Sequence, residues 1–204
     1  DIKIFTPSEK YSVKVRELRE KLGINGKVVM YAGYMDGING VPGLARIIPQ
    51  IIRDWPDICF LFIGFGPEED RLKALAKEYP RNVKFLSWVP YLEMPAYYQL
   101  CDVFVVPRPS TISAETATPL KLLDAMVMGK PVLGSNVGGI AEVITHGENG
   151  YLFQKGNLES LQRTLLEVLD ADNTEISRGA RKTIIENFSW DKSAKILQQV
   201  YEEV

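Results

Sequence analysis

Lys121 and Asp124 lie one helical turn apart, just after Pro119, and their types and spacing suit a phosphorylated sugar ligand. The Ser110–Thr118 stretch is rich in small polar residues and reads as a loop feeding a helix that starts near Pro119. Backbone N–H groups at a helix start lack intrahelical partners, and the helix dipole favours an anion there. Pro119 and Leu120 therefore open an anion site, to which Thr116 and Thr118 can add hydroxyl donors. A first-turn lysine works against the dipole unless an anion or carboxylate is close. Lys121 thus either covers a bound phosphate or points into solvent. Asp124 either accepts two sugar hydroxyls or forms a local ion pair with Lys121.

The elements that must position these residues alternate regularly. Near-continuous apolar runs at Lys27–Gly33, Asp57–Gly64, Val83–Leu86, Asp102–Val106, Pro131–Gly134 and Tyr151–Phe153 read as buried strands. Between and after them, helices are expected at Ser8–Leu22, Val41–Arg53, Glu68–Glu78, Met94–Leu100, Pro119–Met128, Leu158–Leu169, Glu175–Asn187 and Asp191–Glu203. A single helical turn is expected at Ile140–Ile144. In the first helix Val13, Val15, Leu18 and Leu22 form the inward stripe, and Gly23 stops it. Pro49 predicts a kink or early break in the second. The alternation predicts one α/β domain over residues 1–204, a doubly wound, Rossmann-like parallel sheet with a helical tail from residue 174. Residues 1–7 read as a linker.

In such a sheet, ligands bind beyond the carboxyl ends of the strands, where strand order switches. Glycine, proline and small polar residues collect at those ends: Gly33, Gly64-Phe-Gly-Pro67, Ser87-Trp-Val-Pro90, Pro107-Arg-Pro, and Gly134-Ser-Asn-Val-Gly-Gly139. The Gly64–Pro67 turn is not a dinucleotide fingerprint, and there is no Walker loop, nucleophile elbow or zinc-ligand set. His146, the one histidine, sits in a polar turn and reads as a surface residue. Cys59 and Cys101 lie in apolar stretches and read as free thiols packed in a core, which suits a reducing, cytoplasmic setting. With 24 basic and 26 acidic residues the chain has no basic excess, which argues against a nucleic-acid partner. Its longest apolar run, Ile58–Gly66, is too short to span a bilayer.

The order of Gly64-Phe-Gly-Pro67, Val83-Lys-Phe-Leu-Ser-Trp-Val-Pro90 and Asp102-Val-Phe-Val-Val-Pro107 resembles the C-terminal domain of family 4 retaining glycosyltransferases of the GT-B fold. Leu122-Leu-Asp-Ala-Met-Val-Met-Gly-Lys-Pro131, Val137-Gly-Gly-Ile-Ala-Glu-Val-Ile144 and Asn149-Gly-Tyr-Leu-Phe153 continue the resemblance over nearly the whole chain. It implies the donor half of a two-domain enzyme that moves a sugar from a nucleotide diphosphate sugar, such as a UDP- or GDP-sugar, to an acceptor. The acceptor, a glycan or lipid, would be held by an N-terminal half outside this chain. Membrane association at the cytoplasmic face would come only through that half, no cofactor is implied, and the isolated chain is expected to be inactive.

Residue by residue, the resemblance places the ribose-holding carboxylate on Asp124, with aspartate in place of the usual glutamate. The family's other carboxylate, eight positions earlier, falls on Thr116, with Glu115 adjacent and one residue out of register. The arginine and lysine that hold the diphosphate fall on Tyr34 and Asn39, so both cations are missing there. Lys121, in a Pro-x-Lys arrangement seen in some related transferases, and Arg108 are the candidates to compensate. Gly33, Phe65 and Val89, at the ends of the first three strands, complete the expected donor site. Two other readings stand beside this one. A nucleotide-sugar epimerase of the same fold would need acid/base groups that a turn-borne His146 supplies poorly. A non-catalytic nucleotide-binding or scaffold domain would suit the loss of the two cations.

Overall fold

The computed structural model describes residues 2–202. Six parallel strands form one sheet: β1 (Val28–Ala32), β2 (Cys59–Ile63), β3 (Val83–Leu86), β4 (Val103–Val106), β5 (Val132–Ser135) and β6 (Tyr151–Phe153). Their order, β3-β2-β1-β4-β5-β6, is the doubly wound order, and it reverses between β1 and β4. Every residue of β1, β2, β4 and β5 is buried. Alternation along each strand divides these side chains between two cores. Val28, Met30 and Ala32 join Phe104 and Val106 on the face covered by α1 (Ser12–Leu22), α4 (Met94–Leu100), α6 (Leu120–Val127) and α9 (Thr174–Asn187). Val29 and Tyr31 join Phe60, Phe62 and Val105 on the face covered by α2 (Val41–Asp54), α3 (Glu69–Glu78) and α8 (Leu158–Asp170). The expected sheet, flanking helices and helical tail are therefore all present.

Several local expectations are corrected. α2 runs unbroken through Pro49. An interior proline costs about 3 kcal/mol, but Leu44, Ile47, Ile48 and Ile51 are buried against the sheet, and each contributes about 1.5–3 kcal/mol. Val13 lies 57% exposed rather than inward, because Ser8 opens a 3-10 turn at Glu9–Tyr11 and α1 begins only at Ser12. The turn expected at Ile140–Ile144 forms earlier, as α7 (Gly138–Ala141). The Ser110–Thr118 loop contains a short helix, α5 (Ile112–Thr116), whose N-cap Thr111 accepts from the Ala114 N–H.

The opening segment is anchored rather than linker-like over residues 2–7. Phe5 is buried, edge-on to Tyr91 and Tyr98, and the Thr6 hydroxyl accepts from Arg181 of α9. The tail helix α10 (Trp190–Glu202) buries no side chain, and Ile196, Leu197, Val200 and Tyr201 stay exposed on it. Asp1 and Glu203, which fall within the expected linker and last helix, lie outside the described residues.

The strand ends that form the ligand edge are closed by glycine. Gly33 and Gly64 have φ of 131° and 139°, which side chains rarely adopt, and the Gly33 N–H donates to the Ile63 carbonyl at 2.8 Å. A Cβ on Gly64 would drive into the Gly33 carbonyl. Gly64→Ala is therefore expected to lower Tm by more than about 4 °C, since strain of this kind costs about 1–3 kcal/mol before the backbone clash is added. Gly37, with open space around its Cα, is the control: Gly37→Ala should stay within about 0.5 kcal/mol of the parent in a denaturant titration. Equal stability of the two variants would mean that the strand ends are not held by this contact.

Candidate functional site

The carboxyl ends of β1, β2 and β3, on one side of the strand switch, face a cavity of about 270 Å³ that α6 also lines. Gly33, Tyr34, Phe65, Val89, Lys121 and Asp124 all line it. Four elements supply them. Gly33 and Tyr34 follow β1, Phe65 sits in the glycine turn after β2, Val89 follows β3, and Lys121 and Asp124 share one face of α6. The Tyr34 and Phe65 rings stand edge to face, 5.6 Å between centroids. A larger cavity of about 690 Å³ adjoins it beside α6, α9 and the start of α10, and Tyr91 and Asp124 line both.

Lys121 does not extend into solvent. Its ammonium donates to the Tyr31 hydroxyl at 2.8 Å and to Asn39 Oδ1 at 3.3 Å, and lies 4.4 Å from the centre of the Tyr31 ring. Burial pushes its pKa down to about 8, repulsion from Arg108 acts the same way, and Asp36 opposes both. Arg108 donates from Nη1 to the Ala117 carbonyl at 3.0 Å, and its Nε is buried without a partner. Two cations thus stand close together at the ligand edge, an arrangement that an anion would relieve.

Asp124 makes none of the described ion pairs with Lys121, so the local-pair alternative is not formed. Burial raises its carboxyl pKa to about 6. A buried carboxylate of this kind gains from hydroxyl donors supplied by a ligand.

Glu115 and Thr116 do not line this cavity. The Glu115 carboxylate accepts from the Gly138 N–H at 2.7 Å and from Ser110 Oγ at 2.7 Å, and pairs with Lys155 at 2.6 Å. These partners, Lys155 foremost, hold its pKa down at about 2. It therefore clamps α5 to the start of α7. The Thr116 hydroxyl is turned back onto the Ile112 carbonyl, 2.8 Å away, because Thr116 ends a helix rather than lying in a loop. Thr118 is half-buried, and Pro119 caps α6 without a side-chain bond. Leu120 is exposed and lines the larger cavity. His146 is exposed in its turn, its Nδ1 accepting from the Leu152 N–H. Both cysteines are buried and free, and burial pushes their thiols up to about 11 and about 12.

Two residues at the site escaped the sequence reading. Tyr31 looked like one more apolar strand residue. Asp36 anchors the loop after β1 by accepting from both the backbone N–H and the side-chain amide of Asn39, each at 2.8 Å. The Asp36-x-x-Asn39 spacing is a turn signature that could have revealed it.

The raised Asp124 carboxyl pKa makes stability depend on pH. The folded chain binds this proton more tightly than the unfolded chain between about pH 4 and pH 6, so stability is lost as pH rises through that window. Asp124→Asn should therefore raise Tm by about 2–4 °C at pH 7.5, and the difference should vanish below about pH 4. Scanning calorimetry at the two pH values checks both; a difference that is constant with pH would show that titration of Asp124 is not its origin.

The profile of the family described as "Glycosyl transferases group 1" matches residues 26–171. Spore coat protein SA of Bacillus subtilis is 30% identical over 201 residues, covering 92% of this chain and 52% of that protein. A D-inositol 3-phosphate glycosyltransferase of Corynebacterium aurimucosum is 29% identical, covering 98% of this chain and 49% of that protein. The chain thus spans about half the length of the curated relatives it matches. The crystal structure of Anabaena HepE in complex with UDP superposes with a TM-score of 0.85 at 21% identity, covering 100% of this chain and 56% of that one. A solved C-terminal domain of a group 1 glycosyl transferase, LpcC of Francisella tularensis, superposes with a TM-score of 0.76 at 17% identity, covering 93% of this chain and 98% of that one. These likenesses show the Rossmann-like GT-B fold. Among the described residues no helix is long and apolar enough to cross a membrane. With the family profile matched across the whole of its sheet, this chain belongs to the glycosyl transferases group 1 family.

Proposed function

We propose that the chain is the donor-binding part of a retaining, family 4 hexosyltransferase and takes a nucleotide diphosphate sugar along the carboxyl edge of its sheet. The observation that carries this reading is the meeting of Lys121 and Asp124 in one cavity beyond the carboxyl ends of β1, β2 and β3. The diphosphate lies by Lys121, Arg108 and the N–H groups at the start of α6. The Asp124 carboxylate accepts the ribose hydroxyls, and the base lies along Phe65 and Val89. The UDP in the Anabaena HepE structure and the GDP-mannose named for a Corynebacterium glutamicum relative, 28% identical, support a uridine or guanosine donor. The nucleotide sugar is the substrate, and the reading needs no further cofactor.

Transfer breaks the bond between the anomeric carbon and the diphosphate oxygen and forms one to an acceptor hydroxyl oxygen. Negative charge gathers on the departing diphosphate, so pre-placed cations and N–H donors favour the transition state over the ground state. In front-face displacement the leaving phosphate takes the acceptor proton and configuration is retained. The acceptor, a glycan or lipid, belongs to a further half, through which any membrane association also comes. The reading places the enzyme in the cytoplasm and leaves this chain alone without transfer activity.

Calorimetry with UDP and GDP, and with uridine and guanosine, tests the reading. Asp124→Ala should weaken nucleotide and nucleoside alike by about tenfold, since hydrogen bonds to a charged group contribute about 1.5–3 kcal/mol. Lys121→Ala should weaken the diphosphates far more than the nucleosides, and should slightly stabilise the empty chain by removing a desolvated charge. Equal losses for diphosphate and nucleoside in Lys121→Ala would remove the phosphate role.

A further inference from the structure

Tyr31 does more at the carboxyl edge than fill the core. Its ring is buried on the α2 and α8 face, while Lys121 rises from α6 on the opposite face. The two meet over the strand ends. A buried tyrosine hydroxyl needs one partner, and the Tyr34 carbonyl, accepting at 2.6 Å, already supplies it. The bond it accepts from Lys121 is therefore additional. That ammonium gives its two described hydrogen bonds to uncharged oxygens, of Tyr31 and Asn39, and rests on a ring face. Asp36, the acidic side chain on that loop, holds Asn39 and lies outside ion-pair distance of Lys121 among the described pairs. The charge is thus oriented without being neutralised. Gly33 makes room for it: a Cβ there would stand 2.7 Å from the Lys121 Nζ.

We propose that Tyr31 is a positioning residue, which holds the Lys121 ammonium un-neutralised against the loop after β1 so that it is ready for a diphosphate. This rests on the reading of Lys121 as the diphosphate cation. Neutral acceptors fix a cation's position while leaving its field intact, whereas a carboxylate would fix the position and cancel the field. The groups facing Lys121 are Tyr31 on β1, Asp36 on the following loop, Arg108 after β4 and Asp124 on its own helix. Since Lys121 titrates near pH 8, removing an acceptor of its charged form should move that titration lower.

The test is calorimetric titration of the 204-residue chain with UDP and GDP, and with the two nucleosides, across the pH range that brackets the Lys121 titration. Tyr31→Phe keeps the ring and removes the hydroxyl. It should weaken the diphosphate by about tenfold at neutral pH, shift the alkaline loss of binding downward by about half a pH unit or more, and leave the nucleoside unchanged. Asn39→Asp keeps the backbone N–H bond to Asp36 but replaces the amide donor with a second carboxylate beside it. It should weaken the diphosphate and move the alkaline loss upward, because the added carboxylate neutralises the ammonium; a melting curve of the variant checks that the loop change leaves the fold intact. If both variants bind diphosphate as the parent does at every pH, while Lys121→Ala loses it, the positioning role is overturned and the phosphate reading stands. If Lys121→Ala also binds as the parent does, the phosphate reading itself falls.

Discussion

A parallel sheet covered by helices on both faces leaves water only at its two rows of strand ends. The rest of this molecule follows from that constraint. Strands β1, β2, β4 and β5 are buried along their whole length, so no polar ligand can approach their faces without displacing packed side chains. Strand order reverses between β1 and β4, and there the connecting loops diverge to opposite faces and leave a cleft. The chain places its glycines at those ends, where backbone must pass close to backbone.

Within that cleft the electrostatics come from crossing between layers. Lys121 leaves one helical layer and is received by the hydroxyl of Tyr31, a β1 residue whose ring packs on the other face of the sheet. Arg108 ties the end of β4 to the loop before α6 and stands near enough to repel it. Asp124, one turn further on α6, is buried enough to hold its proton up to about pH 6. Keeping cations together and a carboxylate desolvated at one edge is costly to the fold. The same loops spend their other charges on holding shape: Glu115, Lys155 and Ser110 fasten α5 to α7, and Asp36 closes the turn at Asn39.

The differences between expectation and structure arise partly from local capping and partly from packing between distant residues. Pro49 did not break α2 because burial of its neighbours against the sheet outweighs the missing hydrogen bond. The α5 turn was hidden in a stretch of small polar residues, whose side chains can cap a helix as readily as they form a loop. Residues 2–7 looked like a linker, yet Phe5 is packed between Tyr91 and Tyr98. At Pro49 and at residues 2–7, packing contributed by residues distant in sequence decided a locally ambiguous segment, whereas α5 is capped locally by Thr111.

The amino-acid sequence by itself determined the doubly wound sheet, because period and composition of strands and helices are local properties that burial on two faces imposes. It also determined which strand ends carry glycine, and that Lys121 and Asp124 share a helical face, since one turn separates them. What it left open was where each charge goes. Whether Lys121 meets solvent, Asp124 or the far side of the sheet depends on Tyr31 and Asn39, 90 and 82 residues away along the chain. Whether Glu115 faces the cleft depends on Gly138 and Lys155, 23 and 40 residues away. Such partners are chosen by how layers stack, and a side chain's final position is set by desolvation and by the acceptors that stacking brings within reach.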